Sequence, residues 1–508
     1  MKFNEDSRVK IPTILHLIRL GYGYLSLAGQ TWDESNNIFK DIFYKSIGKI
    51  NPALSEADIK RFYDEIALCL ENEDLGKSFY EKLVDQSGTR LLDFDNFDNN
   101  SFHVVSELTC KKDEEEFRPD ITLLINGMPL VFIEVKKPNN QDGILAELNR
   151  IQKRFQNKKF RNFVNITQLM IFSNNMPYQE GSLQKLEGAF YATTSYGKPL
   201  LNYFREEEKF NLSEILKEEE EETENFVLVD TNYVSIKNSQ EFLVNKNSES
   251  PTNTMCTSLL KRDRLAFVLK YAIVYVKETS GLQKHIMRYP QIFATKAIGN
   301  KLDEGIRKGI IWHTQGSGKT ALAFYNVKFL TDYFQKKGVI PKFYFIVDRL
   351  DLLIQAGKEF RSRGLVVHEV NSREEFARDI KTETHAHPYH ESFDSLYKFR
   401  VSLKALLGDS VDEIFIDNLN LKPADITLND LNLVARYNKI LPEVEELVDF
   451  FNKHKHYLGT KDEAVFIDAL FKLKHVPKES KAILKTQRGK MCRDILKHID
   501  INKVLKLG

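Results

Sequence analysis

The sequence predicts a multidomain α/β protein with an α-helical C-terminal region. Strand-like apolar runs (SFHVVSEL, ITLLI, LVFIEV, LMIFS) fall between residues 101 and 173, around a helix-like stretch at 142–158. Between 309 and 348 the order is strand, glycine loop, helix, strand, the rhythm of a parallel α/β domain. Beyond about residue 385 the strand signal fades and helical periodicity remains. A chain of 508 residues calls for about three domains.

Taken in order, residues 11–29 carry apolar positions at helical spacing and end in Gly21 and Gly23, which predicts an amphipathic helix and a turn. Residues 55–86 also read as helical, and the strands follow from about 100. The polar segment 244–254 (VNKNSESPTNT) predicts a linker. A helix is expected over 258–278, a buried strand at GIIWHT, a helix at TALAFYNVKFLTDYFQKK and a strand at KFYFIVD. Helices are expected at 392–408, 426–455 and 463–475. The expected domains are 1–250, 251–385 and 386–508.

Composition narrows the functional class. The net charge is +1, with 42% hydrophobic and 29% charged residues, the profile of a globular chain. No apolar run approaches the length of a membrane span, and MKFNEDSRVK has no apolar signal core, so a cytoplasmic protein is expected. Cys69, Cys110, Cys256 and Cys492 lie far apart, without disulfide or zinc-ligand spacing.

The first chemical cluster is Asp120 followed 14 residues later by Glu134-Val135-Lys136. Glu134 and Lys136 stand two apart on a strand and share a face. Buried charges there are costly unless paired or bound to an ion. Phosphodiester hydrolysis needs a hard divalent cation, and Mg²⁺ takes one or two carboxylates. Asp120 and Glu134 would supply them, the Val135 carbonyl would add a ligand, and Lys136 would position water or offset negative charge. Asn126-Gly127 marks the turn between the strands. A strict two-residue hairpin would set Asp120 opposite Ile133 and send Glu134 to the other face. The site therefore demands a bulge or a longer loop.

The second cluster is Thr314-Gln315-Gly316-Ser317-Gly318-Lys319-Thr320. Glycines let the backbone wrap phosphates at a helix N-terminus. Lys319 would reach the β- and γ-phosphates of ATP, and Thr320 would ligate its Mg²⁺. His313 stands where the general pattern has glycine. Gln291, 28 residues before Lys319, is the expected adenine reader through its amide.

These segments together resemble the restriction (R) subunits of type I restriction-modification enzymes. RPDITLLINGMPLVFIEVKKP resembles their nuclease motif, RYPQIFATKAI their adenine-reading segment, GIIWHTQGSGKT and FIVDRLDLLIQ their first motor motifs, and VKIPTILHLIRLGYGYLS their N-terminal helix. The resemblance implies a PD-(D/E)xK endonuclease domain over 1–250, a RecA-like ATP-binding domain over 251–385, and a helical region after it. It implies ATP-dependent translocation and cleavage of unmethylated double-stranded DNA, with methyltransferase and specificity subunits as partners. By position, Asp120, Glu134 and Lys136 would be catalytic.

Two departures qualify the resemblance. The family's Gln-x-x-x-Tyr helix segment is matched here by ELNRIQKRFQ, with Gln152 as the candidate DNA contact and Gln156 in the tyrosine position. After Asp348 no Asp-Glu-x-His strand motif is found: Asp412-Glu413 precedes its apolar stretch, and Asp417 is followed by Asn418. A truncated or internally deleted subunit is therefore expected. The alternative is a motor-deficient nuclease, or a non-catalytic fragment docking on the methyltransferase–specificity complex.

Overall fold

A computed structural model describes residues 5–136, 143–178, 187–197, 199–312, 318–346 and 350–368, with one further position at 453. Residues 1–369 form one compact unit and 370–508 a second. The expected C-terminal helices, Asp412, Glu413 and Asp417 lie outside the described residues.

The first unit is mixed α/β. Its strands are β1 (Gly23–Tyr24), β2 (Phe102–Ser106), β3 (Cys110–Lys112), β4 (Glu115–Phe117), β5 (Ile121–Ile125), β6 (Met128–Val135), β7 (Leu169–Ser173), β8 (Ala189–Ala192), β9 (Asn202–Tyr203), β10 (Ile273–Glu278) and β11 (Gly281–Ile286). Seven of them form one sheet in the order β1-β2-β5-β6-β7-β8-β9. β1 with β2 and β6 with β7 are parallel; the other neighbours are antiparallel. The parallel step from β6 to β7 needs a crossover, which runs through helices Gly143–Gln156 and Arg161–Ile166. Every residue of β5, β6 and β7 is buried. Central strands covered on both faces read as continuous apolar runs rather than alternating ones, which is why their sequences stood out.

The β5–β6 turn fixes the geometry of the unit. Asn126 and Gly127 both have positive φ, 51° and 77°, the signature of a type I′ hairpin. The buried Asn126 side chain donates to the Leu91 carbonyl (2.9 Å) and to Asn100 Oδ1 (2.8 Å) and accepts from the Ser101 N–H. At Gly127 a Cβ would lie 2.6 Å from the Phe39 carbonyl oxygen. Near the turn Ile125 pairs Met128 and Leu124 pairs Pro129; beyond a shift at Leu123/Leu124, Leu123 pairs Val131 and Ile121 pairs Ile133. A bulge thus absorbs one residue of β6 at Leu130.

Three expectations fail. The segment 244–254 is no linker: helix Pro251–Leu260 starts within it, and Thr252 and Asn253 are buried. Thr252 bonds Ser173 and Asn175, and the Asn253 amide nitrogen donates to the Asn247 carbonyl, so these polar residues are buried among partners rather than exposed in a linker. The helix expected over 258–278 gives way to strand at Ile273, where β10 and β11 form a hairpin. The β-branched pair Ile273-Val274, then Val276, favours strand once tertiary pairing is available.

The third concerns the two strands expected at GIIWHT and KFYFIVD. Residues 309–312 and 343–346 are neither helix nor strand, and they pair with no strand among the described residues. Ile310 is 91% and Trp312 90% exposed. A parallel strand forms only when neighbours complete its ladder and helices cover its faces. Those neighbours are not among the described residues.

The phosphate-loop helix does form, as Lys319–Gln335, and packs on the rest of the unit. Its buried Lys328 donates to Tyr80 Oη (2.7 Å) and to the Ile273 carbonyl (3.1 Å). Burial, with nearby Lys270, pushes the Lys328 amine down to about 7. Lys270 pairs with Asp332 at 3.0 Å on the same helix.

Replacing Gly127 by Ala forces a side chain into left-handed backbone against Phe39. We expect a loss of about 1–3 kcal/mol of stability in urea unfolding. Unchanged stability would show that the turn does not hold the hairpin in this register.

Candidate active site

The bulge at Leu130 decides the chemistry. With the shifted register continued, Asp120 lies opposite Glu134, and both carboxylates belong to one side of the hairpin. Asp120 Oδ2 accepts the Val135 N–H at 2.8 Å, which ties the end of β6 to the residue before β5. Lys136 Nζ donates to the Val135 carbonyl at 2.8 Å. The same ammonium stands 3.3 Å from Glu5, 3.7 Å from Asp120, 3.8 Å from Glu147 and 3.9 Å from Glu134. One cation thus faces four carboxylates.

Burial sets the proton affinities. Asp120 is pushed up to about 6, chiefly by burial, with Lys136 and the Val135 N–H opposing. Glu134 rises well above the usual carboxylate range, through burial first and then the Asp120 charge, with Lys136 opposing and Glu147 adding. Burial would lower Lys136, but Asp120, Glu134, Glu5 and Glu147 outweigh it and raise the ammonium.

This donor set fits a divalent cation. Glu134 is 5% exposed, and its Oε2 is buried without a hydrogen-bond partner. An orphaned buried carboxylate oxygen is unfavourable unless a cation meets it. Among the described residues no group of three or more His, Cys, Asp or Glu is already spaced around a single point as a metal cage. Mg²⁺ does not require one, since it keeps several waters and takes one or two carboxylates.

The crossover helix Gly143–Gln156 brings to the site a residue the sequence did not single out. Glu147, Arg150 and Arg154 share the face near Lys136: Arg150 donates to Glu147 at 3.0 Å, and Arg154 lies 4.0 Å from it. Gln152 is half-buried, roughly 140° around the helix from Glu147, so it is not on that face. Glu147 escaped sequence reasoning, although a signal existed. It lies among Ile144, Leu148, Ile151 and Phe155 on the buried stripe, where a carboxylate is out of place.

At the second cluster, Gly318 has φ 82° and precedes helix Lys319–Gln335. Lys319 and Thr320 therefore open that helix, while Thr314, Gln315, Gly316 and Ser317 lie outside the described residues. Gln291 is buried; its amide oxygen accepts the Arg288 N–H (2.9 Å) and its nitrogen donates to the Gly318 carbonyl (3.0 Å). Its amide thus ties helix Tyr289–Asp303 to the loop. Beside that helix lies an open cleft of about 980 Å³, lined by Tyr289, Pro290, Phe293, Lys296, Arg307 and Trp312.

Comparison with known proteins shows what two segments of the chain are similar to. Residues 2–185 match the family described as type I restriction enzyme R protein N terminus. Residues 284–440 match the family described as type III restriction enzyme, res subunit. More particularly, the chain is related to the R subunits of type I restriction enzymes. It is 31% identical over 283 residues to the putative type I restriction enzyme MjaVIIP endonuclease subunit of Methanocaldococcus jannaschii, covering 53% of this chain and 22% of that protein. It is 27% identical to the putative MjaIXP endonuclease subunit of the same organism, covering 71% of this chain and 34% of that protein. With the HindI endonuclease subunit of Haemophilus influenzae identity is 24%, over 65% of this chain and 29% of the relative. The chain thus spans between 22% and 34% of the length of these relatives. No described helix is long and apolar enough to cross a membrane.

Carboxyls held above their unfolded values bind protons in the folded state that the unfolded chain has released. Metal-free stability should therefore fall as pH rises from about 4 through about 6, while cation affinity rises over the same range. Mn²⁺ titration calorimetry should give tighter binding at pH 7 than at pH 5. Equal affinities would contradict the burial of Asp120. With chelator present at pH 7, Glu134→Gln should raise the melting temperature by roughly 1–4 °C, because it removes one of several acidic groups crowded into a buried site. A clear drop would mean the carboxylate is satisfied without metal.

Proposed function

We propose that this chain carries the DNA-cleaving site and an ATP-binding loop of a type I restriction (R) subunit. The observation that carries the proposal is the buried Glu134 oxygen without a partner, beside Asp120 and Lys136 on one side of the β5–β6 hairpin. The family match over residues 2–185 covers this hairpin.

The roles follow from the geometry. Asp120, Glu134 and the Val135 carbonyl would hold Mg²⁺, which supplies a water of lowered pKa and neutralises charge on the scissile phosphate. Asp120 also fixes the end of β6 through the Val135 N–H. Lys136 keeps its proton at neutral pH, because four carboxylates surround it. Its ammonium can orient a water for attack and offset negative charge developing on phosphate oxygens. The buried strand behind Glu134 keeps bulk water from screening these charges.

At the loop, Thr314 to Gly318 would cradle ATP phosphates, Lys319 would contact them, and Thr320 would ligate the accompanying Mg²⁺. Gln291 would serve adenine recognition from a position already bonded to Gly318. Translocation belongs to a longer assembly, with methyltransferase and specificity subunits choosing the double-stranded DNA. Hydrolysis in P-loop motors of this type occurs between two lobes. A second reading, in which the chain is a nuclease with a nucleotide-binding half-site and no working motor, rests on the sequence, where no Asp-Glu-x-His motif follows Asp348.

Glu134→Ala and Lys136→Ala should each reduce Mg²⁺-dependent cutting of long unmethylated DNA by at least about a hundredfold, measured with methyltransferase and specificity partners present. Full cutting by Glu134→Ala would remove this site from consideration. ATP turnover stimulated by DNA, and abolished by Lys319→Ala, would support a complete motor. Cutting without ATP that survives Lys319→Ala would select the second reading.

A further inference from the structure

Glu147 lies where no acidic residue was expected. Its side chain is 3% exposed, on the crossover helix rather than the β5–β6 hairpin, with its Oε2 3.8 Å from Lys136 Nζ. It is within hydrogen-bonding reach of Glu134. Two buried carboxyl groups in contact repel unless a proton or a cation lies between them. Glu134 Oε2 is the unpartnered oxygen in this pair.

The arginines explain how Glu147 is held. Arg150 Nη1 donates to its Oε2 at 3.0 Å from the next turn of the helix. Arg154, one turn further on, stands 4.0 Å from its Oε1. The Arg154 guanidinium is itself fixed 4.9 Å above the Phe117 ring, which packs edge-on against Phe160 and Phe163. Buried on the helix face near Lys136, Glu147 has its Oε2 between the Arg150 guanidinium and the Lys136 ammonium.

We propose that Glu147 is a third carboxylate of the divalent-cation site, binding the ion directly or through one of its waters. The proposal rests on the nuclease reading of Asp120 and Glu134 and adds a ligand from a different element. The cation then joins the hairpin to the crossover helix. Mg²⁺ and Mn²⁺ are the chemical class, because every donor is oxygen.

The test is Mn²⁺ titration calorimetry on the whole chain without DNA, for wild type, Glu134→Gln, Glu147→Gln and Glu147→Asp, with circular dichroism as the check on folding. Glu147→Gln should weaken Mn²⁺ by at least about tenfold, as loss of a direct or water-bridged contact does, and Glu147→Asp should recover part of it. Wild-type affinity in Glu147→Gln alongside weakened binding in Glu134→Gln overturns the role of Glu147 and leaves the nuclease reading intact. Wild-type affinity in both variants overturns the nuclease reading itself. Should Glu147→Gln fail to fold, Fe²⁺ and ascorbate can be used on the wild-type chain, where radicals cut the backbone beside the bound ion. Cuts near residues 120, 134 and 147 support the proposal, and cuts near 120 and 134 without one near 147 overturn it.

Discussion

Strand side chains alternate, so one residue of slippage between β5 and β6 would carry Glu134 across the sheet from Asp120. The Asn126-Gly127 turn starts the hairpin in one register, and the bulge at Leu130 converts it to the other. The candidate site depends on that conversion. Neither feature is free to drift. Asn126 is bonded on both sides of its amide, and Gly127 abuts the Phe39 backbone. Bulges of this kind re-aim side chains beside functional sites.

Once the register is set, the electrostatics follow. Glu5 and carboxylates from the hairpin and the crossover helix converge on Lys136. Burial, with Glu5 acting on Asp120 and with Asp120 and Glu147 acting on Glu134, holds both carboxyls above their ordinary range. Such an arrangement costs stability in the metal-free chain, as functional sites commonly do. The apolar strands β5, β6 and β7 offset that cost, since each large side chain buried there contributes about 1.5–3 kcal/mol.

The nucleotide side is organised differently. Helix Lys319–Gln335 is anchored by Lys328 to Tyr80 and by Asp332 to Lys270, so it sits firmly on the first unit. The segments on either side of it, which read as strands, pair with no strand among the described residues and expose Ile310, Trp312 and Ile346. A helix satisfies its own backbone, whereas a strand relies on neighbours for its hydrogen bonds. This is why the helix is complete within the described residues while the two segments show no ladder there.

The sequence by itself determined the local elements and the chemistry-bearing types. ITLLI, LVFIEV and LMIFS announced buried strands, Asn-Gly announced the turn, and Asp120, Glu134 and Lys136 announced an oxygen-donor site, because each signal is written in neighbouring residues. Gly318-Lys319-Thr320 likewise announced a helix start. Tertiary structure alone decided the rest. It placed the bulge at Leu130, which no residue type marks. It brought Glu5 and Glu147 to Lys136 from distant positions, and it turned Gln152 away from the site. It also buried polar Thr252 and Asn253 by giving them partners far along the chain or within the fold. Composition and periodicity describe what a segment can satisfy alone; register, convergence of charges and sheet completion depend on what lies beside it.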